Sequence, residues 1–419
     1  MKKIIIIILC CVLLSSCTEI SALLLINSGN IKSDTTVDEY IYYQTPPAYH
    51  PLSHSIILTV HINQSKKPFN FILDTGALTV ISKKIAKELN IKNELTIKAN
   101  DVDGNTKDQS LVKLQSLKIK DIEVKDIAAG IFDLSMFDNY DLDIDGIVGS
   151  NALRFFKVTL DYEKNSIYFS NKKGFSEKQK NAYQLKFEQD ITNGFAPKLP
   201  CVINNNLTLD AYIDTGFWGY ALLPYNYIDK LDIEKNHLIT SIGTMSGGMF
   251  KNKDSKSALS KLKSIKFNAG TKSISLTKPV VNFNSRRNPM MKNRLYLGKR
   301  FLMNYLVTID YPNNFLTLQP KNQSSSKEIP RELFSFGVKI QPNEKRELKI
   351  IGLWKGSSAD NVGLKTNDSL VEIDDINIKH LSVSEVFQKL NDTDVKKLNL
   401  KIKRGTQILS FNLEKQMLL

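Results

Sequence analysis

The pattern of apolar and polar positions repeats along this chain. Residues 71–76 (FILDTG) and residues 211–216 (AYIDTG) are each an apolar run that ends in Asp-Thr-Gly. An apolar run of this kind predicts a buried strand, and the glycine predicts a tight turn directly after it. Each run therefore places one carboxylate, Asp74 or Asp214, at the end of a strand.

A second apolar motif follows each Asp-Thr-Gly. It is GIVGSNAL at residues 146–153 and LYLGKRFL at residues 295–302. The separation between equivalent positions is constant here, since 298 − 149 and 310 − 161 both give 149. The two aspartates lie 214 − 74 = 140 apart, so the second unit has nine more residues between its motifs. The chain contains an internal duplication of a unit of somewhat over a hundred residues.

Alternation, helical spacing and turn residues predict the remaining elements. Strands are predicted at residues 55–63, 95–100, 109–114 and 183–187, with a hairpin turn at 102–105, and a helix at 82–89. The predicted class is mainly β.

These four motifs resemble the aspartic peptidases of the pepsin and retropepsin type, over roughly residues 52–320. The resemblance implies two β-barrel lobes in a bilobal acid-protease fold, with Asp74 and Asp214 as the catalytic pair. It also implies that Thr75 and Thr215 each bind the backbone of the opposite lobe, and that Gly76 and Gly216 permit the close approach of the two loops.

The same resemblance implies a flap hairpin in each lobe that covers the substrate. In the first lobe the flap would include Asp103 and Gly104. In the second it would include Gly243 and Gly247, within a glycine-rich stretch. The substrate would be a peptide or protein.

Two carboxylates a few ångströms apart cannot both ionise, so they share one proton. The ionised one can then take a proton from water while the protonated one polarises a carbonyl. This chemistry needs no metal or cofactor, and none is predicted. Ala77 fits the small residue that usually follows Asp-Thr-Gly in this family, whereas Phe217 does not. Phe217 would crowd the second half-site or shape a pocket.

Two alternatives to a single-chain peptidase remain open. The chain could be a non-catalytic peptide-binding lipoprotein that retains the cleft, which Phe217 favours. Alternatively, the second lobe could be scaffolding, with active sites formed between two chains. A shared-proton pair within one chain requires no homodimer.

A further domain is predicted after residue 328. Ser335-Phe336-Gly337-Val338 resembles the carboxylate-binding loop of a PDZ domain, and residues 356–371 resemble the small helix and strand of that family. The resemblance implies a groove at Phe336, Gly337 and Val338 that binds a peptide C-terminus as an added strand. It also implies a groove helix at residues 384–390 and closing strands at 398–403 and 408–413. A tethered module of this kind would act by raising the local substrate concentration. A β-rich cap with an occluded groove is the alternative.

The N-terminus resembles a bacterial lipoprotein signal. Lys2 and Lys3 precede an apolar run at residues 4–14, and Leu14-Ser15-Ser16-Cys17 looks like a lipobox, which implies lipidation of Cys17. The predicted location is the bacterial cell envelope, in the periplasm and on the outer membrane, with contact to the membrane through this lipid. An uncleaved anchor is the competing interpretation.

The cysteine count and the net charge bear on disulfide formation and on nucleic-acid binding. With Cys10 and Cys11 in the signal and Cys17 lipidated, Cys201 has no disulfide partner within the chain. The net charge is +14, but no basic run is interleaved with aromatic residues as a nucleic-acid groove requires, so no nucleic-acid partner is predicted.

The predicted organisation is a signal peptide (residues 1–16), a polar tether (17–51), lobe one (52–170), an interlobe connection (171–196), lobe two (197–320), a linker (321–328) and a PDZ domain (329–419).

Overall fold

The computed structural model describes residues 19–31, 36–46, 50, 52, 54–100, 106–172, 181–234, 237–245, 256–269, 272–284, 293–321 and 333–419. Cys17, Asp103, Gly104 and Gly247 lie outside these residues. The chain is mainly β, as predicted. None of the helices in the described ranges is long and apolar enough to cross a membrane.

The first repeat (residues 54–170) is built around one seven-stranded sheet, in the order β2-β3-β8-β4-β7-β6-β5, and an additional β2–β6 pairing joins the two sides of the order. The bounds are β2 Ile57–Ile62, β3 Phe69–Asp74, β4 Val80–Ser82, β5 Leu95–Asn100, β6 Thr106–Ile119, β7 Ile122–Phe132 and β8 Gly146–Gly149, with helices α1 Lys83–Glu88 and α2 Ser150–Leu153. Ser82 caps α1 by accepting from Ile85 N, so the helix begins where its sequence predicts.

The second repeat (residues 196–320) has the same pairings. Its strands are β13 Ala196–Ile203, β14 Leu207–Ile213, β15 Ala221–Pro224, β16 Ile239–Gly243, β17 Ser257–Lys261, β18 Ser264–Ala269, β19 Lys272–Thr277, β20 Val280–Asn284 and β21 Arg294–Leu297, with helices α3 Tyr227–Lys230 and α4 Lys299–Leu302. The strand that carries Asp214, β14, runs parallel to β21, just as β3 with Asp74 runs parallel to β8.

A six-stranded sheet in the order β1-β10-β9-β22-β23-β11 joins the two repeats. Its strands are β1 Asp38–Tyr42, β9 Lys157–Asp161, β10 Ser166–Ser170, β11 Tyr183–Lys186, β22 Tyr305–Asp310 and β23 Phe315–Pro320, and β12 Glu188–Asp190 pairs separately with β13. At its centre Thr159 and Thr308, which are equivalent positions of the two repeats, share a hydrogen bond of 2.9 Å. The two repeats are therefore related by an approximate twofold axis that passes between these two threonines.

The prediction of a polar tether before the first repeat is wrong for most of its described residues. Residues 19–26 are helical, with Ala22 buried against Leu111 and Ala128. Asn30 pairs with Lys125, and β1 pairs with β10. The apolar residues of this stretch bury surface on the first repeat, a long-range contact that local polarity does not reveal. Ile20, Leu23 and Leu24 of the helical stretch are exposed.

The C-terminal domain has its own core and a sheet in the order β25-β26-β27-β29-β30. Its elements are β24 Phe334–Ser335, β25 Val338–Pro342, β26 Leu348–Trp354, α5 Ser358–Asn361, β27 Ser369–Ile373, β28 Ile376–Asn377, α6 Val383–Asn391, β29 Lys397–Arg404, β30 Gln407–Glu414 and β31 Gln416–Met417. The predicted helix at 384–390 and strands at 398–403 and 408–413 are confirmed. A full capping box at Ser382 and Glu385 starts α6.

Candidate active site

The site lies where the ends of β3 and β14 meet between the two repeats. Asp74 and Asp214 are in hydrogen-bond contact through their side chains. Asp74 is partly buried, and Asp214 is only 6% exposed. The structure thus brings together, within one chain, the two aspartates that the sequence pattern singled out.

Reciprocal threonine contacts hold the two aspartate loops together. Thr75 Oγ1 donates to Ile213 O at 2.7 Å and accepts from Thr215 N at 3.1 Å. In the mirror arrangement, Thr215 Oγ1 donates to Leu73 O at 3.1 Å and accepts from Thr75 N at 3.0 Å. Both threonines are fully buried, at 0% and 1% exposure. These four bonds satisfy buried backbone groups of both loops and fix the distance between the two strand ends.

Gly76 and Gly216 leave the space that the opposite carboxylate occupies. A Cβ on Gly76 would lie 2.6 Å from Asp214 Cγ, and a Cβ on Gly216 would overlap the Asp74 carboxylate. Each glycine amide also donates to the aspartate of its own loop, Gly76 N to Asp74 Oδ1 at 2.8 Å and Gly216 N to Asp214 Oδ1 at 2.9 Å.

The two half-sites differ at the residue after each glycine. Phe217 N donates to Asp214 Oδ1 at 2.8 Å, whereas Ala77 N bonds only to the Asp74 backbone carbonyl, at 3.4 Å. The Phe217 side chain packs with Tyr212, Leu222 and Tyr296 of its own repeat. A Cβ on Gly219 would lie 2.4 Å from Cζ of Phe217, so this glycine accommodates the ring. Packing within the second repeat therefore explains why Phe217 stands where the resembled family usually has a small residue after Asp-Thr-Gly.

A buried lysine is the component of the site that the sequence reasoning missed. Lys299 is 2% exposed, and its Nζ donates to Ser55 Oγ of the first repeat at 2.9 Å. Its equivalent in the first repeat, 149 residues earlier, is Ser150, whose hydroxyl donates to Thr75 O and bonds to Tyr311. A charged residue inside the apolar motif LYLGKRFL was the signal that could have identified it.

Burial sets the protonation behaviour of these groups. Burial, reinforced by the neighbouring Asp74 charge, raises the pKa of Asp214 to about 8, and burial also raises the pKa of Asp74. Burial lowers the pKa of Lys299 to about 8, although both aspartates oppose this shift. The positive charge of Lys299 in turn lowers the pKa of Asp74 and so opposes part of the rise caused by burial. The cluster can thus hold one proton on the carboxylate pair beside a buried cation.

The flap positions are only partly described. Gly243 ends β16 in a left-handed conformation with φ of +71°. The hairpin of the first repeat that would contain Asp103 and Gly104 is formed by β5 and β6, which pair from Leu95 with Leu111 to Asn100 with Thr106.

The predicted carboxylate-binding loop precedes β25. The Phe336 side chain is buried, and its carbonyl accepts from Ala359 N at 3.0 Å. Gly337 has φ of +79°, and its amide donates to Ser335 Oγ at 3.0 Å. Val338 begins β25 and packs on the domain core. Of the three loop amides, that of Gly337 therefore already donates a hydrogen bond within the loop.

Comparison with known families identifies two domains. Residues 58–152 match the family model described as aspartyl protease, and residues 325–403 match the PDZ domain model. No curated protein gives a significant match. The chain thus contains an aspartyl protease domain and a PDZ domain. The first match includes Asp74 and ends before the second repeat that supplies Asp214.

Proposed function

We propose that this protein is an aspartic endopeptidase whose single active site is formed by Asp74 and Asp214 of the same chain. The observation that carries the proposal is the side-chain contact between these two aspartates, within a threonine-linked pair of loops. The matching aspartyl protease domain supports the same reaction class.

In the proposed reaction the two carboxylates share one proton. The ionised carboxylate removes a proton from a water molecule, which attacks the scissile carbonyl carbon, and the protonated carboxyl donates a hydrogen bond to the carbonyl oxygen. The carboxyl that took the proton from water then donates it to the nitrogen of the leaving group, the C–N bond breaks, and the pair returns to its singly protonated state. The threonine contacts keep the two carboxylates at a fixed separation, so little reorganisation accompanies the chemical step.

The assignment predicts that Asp74→Asn and Asp214→Asn each lower kcat/KM for short peptides by at least about 1,000-fold, because an amide cannot take the proton from water or share the dyad proton. Peptide-library cleavage by the purified chain measures this, with Asp121→Asn at an exposed position as the matched control. Both dyad variants should unfold at or above the wild-type temperature, since an amide removes the cost of burying an anion.

The two alternatives give different results in the same assay. Substantial activity in the Asp214→Asn variant, or recovery of activity on mixing the Asp74→Asn and Asp214→Asn proteins, would favour active sites formed between chains. Binding of peptides by the wild type without any cleavage would favour the non-catalytic alternative.

Lys299 should set the acid limit of the working pH range. Its cation favours the ionised form of Asp74, so loss of the charge raises the pKa of the dyad. In the Lys299→Met variant we expect the acid limb of the profile of kcat/KM against pH to move upward by about one pH unit. Ser55→Ala removes the hydrogen-bond partner of Lys299 and keeps the charge, so its acid limb should stay close to that of the wild type. A downward shift for Lys299→Met would contradict this role.

Ala77→Ser should move the same limb in the opposite direction. A hydroxyl that donates to the ionised carboxylate lowers its pKa, and neither Ala77 nor Phe217 can supply one. We expect the acid limb to fall by about half a pH unit, from a wild-type optimum in the weakly acidic to neutral range. The measurement is the profile of kcat/KM against pH; a wild-type optimum below about pH 4 or an upward shift in Ala77→Ser would refute the argument.

The location is proposed from the sequence of the N-terminus. We propose that the protein is exported and carries a lipid on Cys17 that holds it in the bacterial cell envelope, on the outer membrane. The PDZ domain would bind a peptide C-terminus. In a bacterial host, labelled fatty acid should be incorporated into the wild type and the Cys201→Ser control but not into Cys17→Ser, which should leave the membrane fraction. Membrane retention of unlabelled Cys17→Ser would indicate an uncleaved anchor.

A further inference from the structure

Strand β16 of the second repeat belongs to two sheets. At its start, Ile239 and Thr240 pair with β17. From Ser241 onward it pairs instead with β26 of the PDZ domain, where Gly243 lies opposite Gly352. Thr244 N donates to Ile351 O at 2.8 Å and Lys355 N donates to Thr240 O at 2.9 Å, which closes the ladder at both ends. The PDZ sheet thus continues directly into the second repeat.

The glycines at this junction are required by the close approach of the strands. A Cβ on Gly243 would lie 2.5 Å from Ile351 O, and a Cβ on Gly352 would overlap Thr244 O. Gly352 is not among the glycines with positive φ, so alanine suits its backbone conformation, and the nearest atoms that a Cβ would meet belong to Thr244 and Met245 across the junction. Both β16 and β26 therefore have a glycine at the position where the other strand approaches closely.

Other contacts hold the PDZ domain against both repeats. Lys339 Nζ donates to Met245 O at 3.2 Å, beside the end of β16. Tyr140 of the first repeat packs on the PDZ core, and Arg346 lies 3.5 Å from Asp141. Because the Arg346–Asp141 pair is exposed, it contributes little stability. The backbone pairing of β16 with β26 is thus the main described connection.

Strand β26 also pairs with β25, the strand that borders the predicted peptide groove. Leu353 and Gly352 pair on this side with Val338 and Lys339 of β25. In the described part of the chain, β25 has no strand on its other edge, which faces the predicted groove. The same two residues of β26 therefore contact the groove strand on one side and β16 on the other.

We propose that a peptide bound along β25 activates the Asp74–Asp214 site through β26 and β16. A peptide that adds a strand to β25 binds best when the sheet is fully formed, and the formed sheet includes β16. Binding therefore stabilises the docked position of β16, and the sheet that contains β16 continues through β17, β20, β15 and β21 to β14, the strand that leads into Asp214. This inference rests on the proposed peptidase function and names its regulation.

The pairing argues against a PDZ domain that acts only by concentrating substrate. A module on a free linker would leave turnover of short peptides unchanged. With β16 in its sheet, the PDZ domain instead affects every substrate, including peptides that do not contact the groove. The two models differ in a measurable way.

The test uses the full chain and a short fluorogenic substrate with an amidated C-terminus. The effector probe is a set of ten-residue peptides that end in a free valine carboxylate, and the same peptides amidated are the control. The free-carboxylate peptides that bind should raise kcat/KM about fivefold or more, and the amidated peptides should not. Because coupling is reciprocal, a transition-state analogue in the active site should tighten effector binding by a similar factor.

Gly352→Ala separates the junction from the groove. We expect this variant to lose the activation even at saturating effector, because its methyl group displaces Thr244, and by the same reciprocity to bind the effector about fivefold more weakly than the wild type. Ile408→Thr, at an exposed position on β30 across the PDZ sheet, should respond like the wild type. Retained activation in Gly352→Ala, inhibition by the effector, or failure of any free-carboxylate peptide to bind would each overturn the proposal. Absence of any substrate cleavage by the wild type would refute the peptidase function itself, whereas cleavage without activation by a bound effector refutes only the coupling.

Discussion

The structure depends on holding two carboxylates together in a poorly hydrated space. In water the two carboxyl groups would separate and both would ionise, so the protein has to supply the proximity, the hydrogen bonds and the burial that raises their pKa values. Reciprocal bonds from Thr75 and Thr215 supply the proximity, and the missing side chains of Gly76 and Gly216 supply the room. Each loop uses the other as its hydrogen-bond partner, so neither half-site has its geometry without the other.

The two repeats have the same strand pairings but differ in the residues that surround their aspartates. Where the first repeat has Ala77 and Ser150, the second has Phe217 and Lys299. The aromatic ring packs into its own repeat, while the lysine reaches Ser55 in the other one. A symmetric pair would give the two carboxylates equal environments. These substitutions give them unequal ones, because Asp214 accepts from two amides of its own loop and Asp74 accepts from one amide of its own loop.

Much of this arrangement could be predicted from the sequence because it is encoded locally. Asp-Thr-Gly after an apolar run identifies a strand end, Ser82 identifies a helix start, and the constant separation of 149 identifies the repeat. Three features were missed because they arise from contacts distant in sequence. Lys299 is recognisable only from what surrounds it, and the β16–β26 pairing joins two domains. Residues 19–31 and 36–46 looked like a linker because their partners lie elsewhere in the chain.

Together with the proposed lipid on Cys17, the docked N-terminal stretch would limit where the protein can reach. Residues 19–31 are attached to the first repeat, through Ala22 and through the pairing of Asn30 with Lys125. With the proposed lipid on Cys17, a single residue, Thr18, separates the anchor from this attached segment. A protein tethered so closely could not sample the depth of its compartment, and it would present to the lipid the side on which Ile20, Leu23 and Leu24 are exposed. Its encounters would be restricted to polypeptides that come within a molecular diameter of the membrane surface.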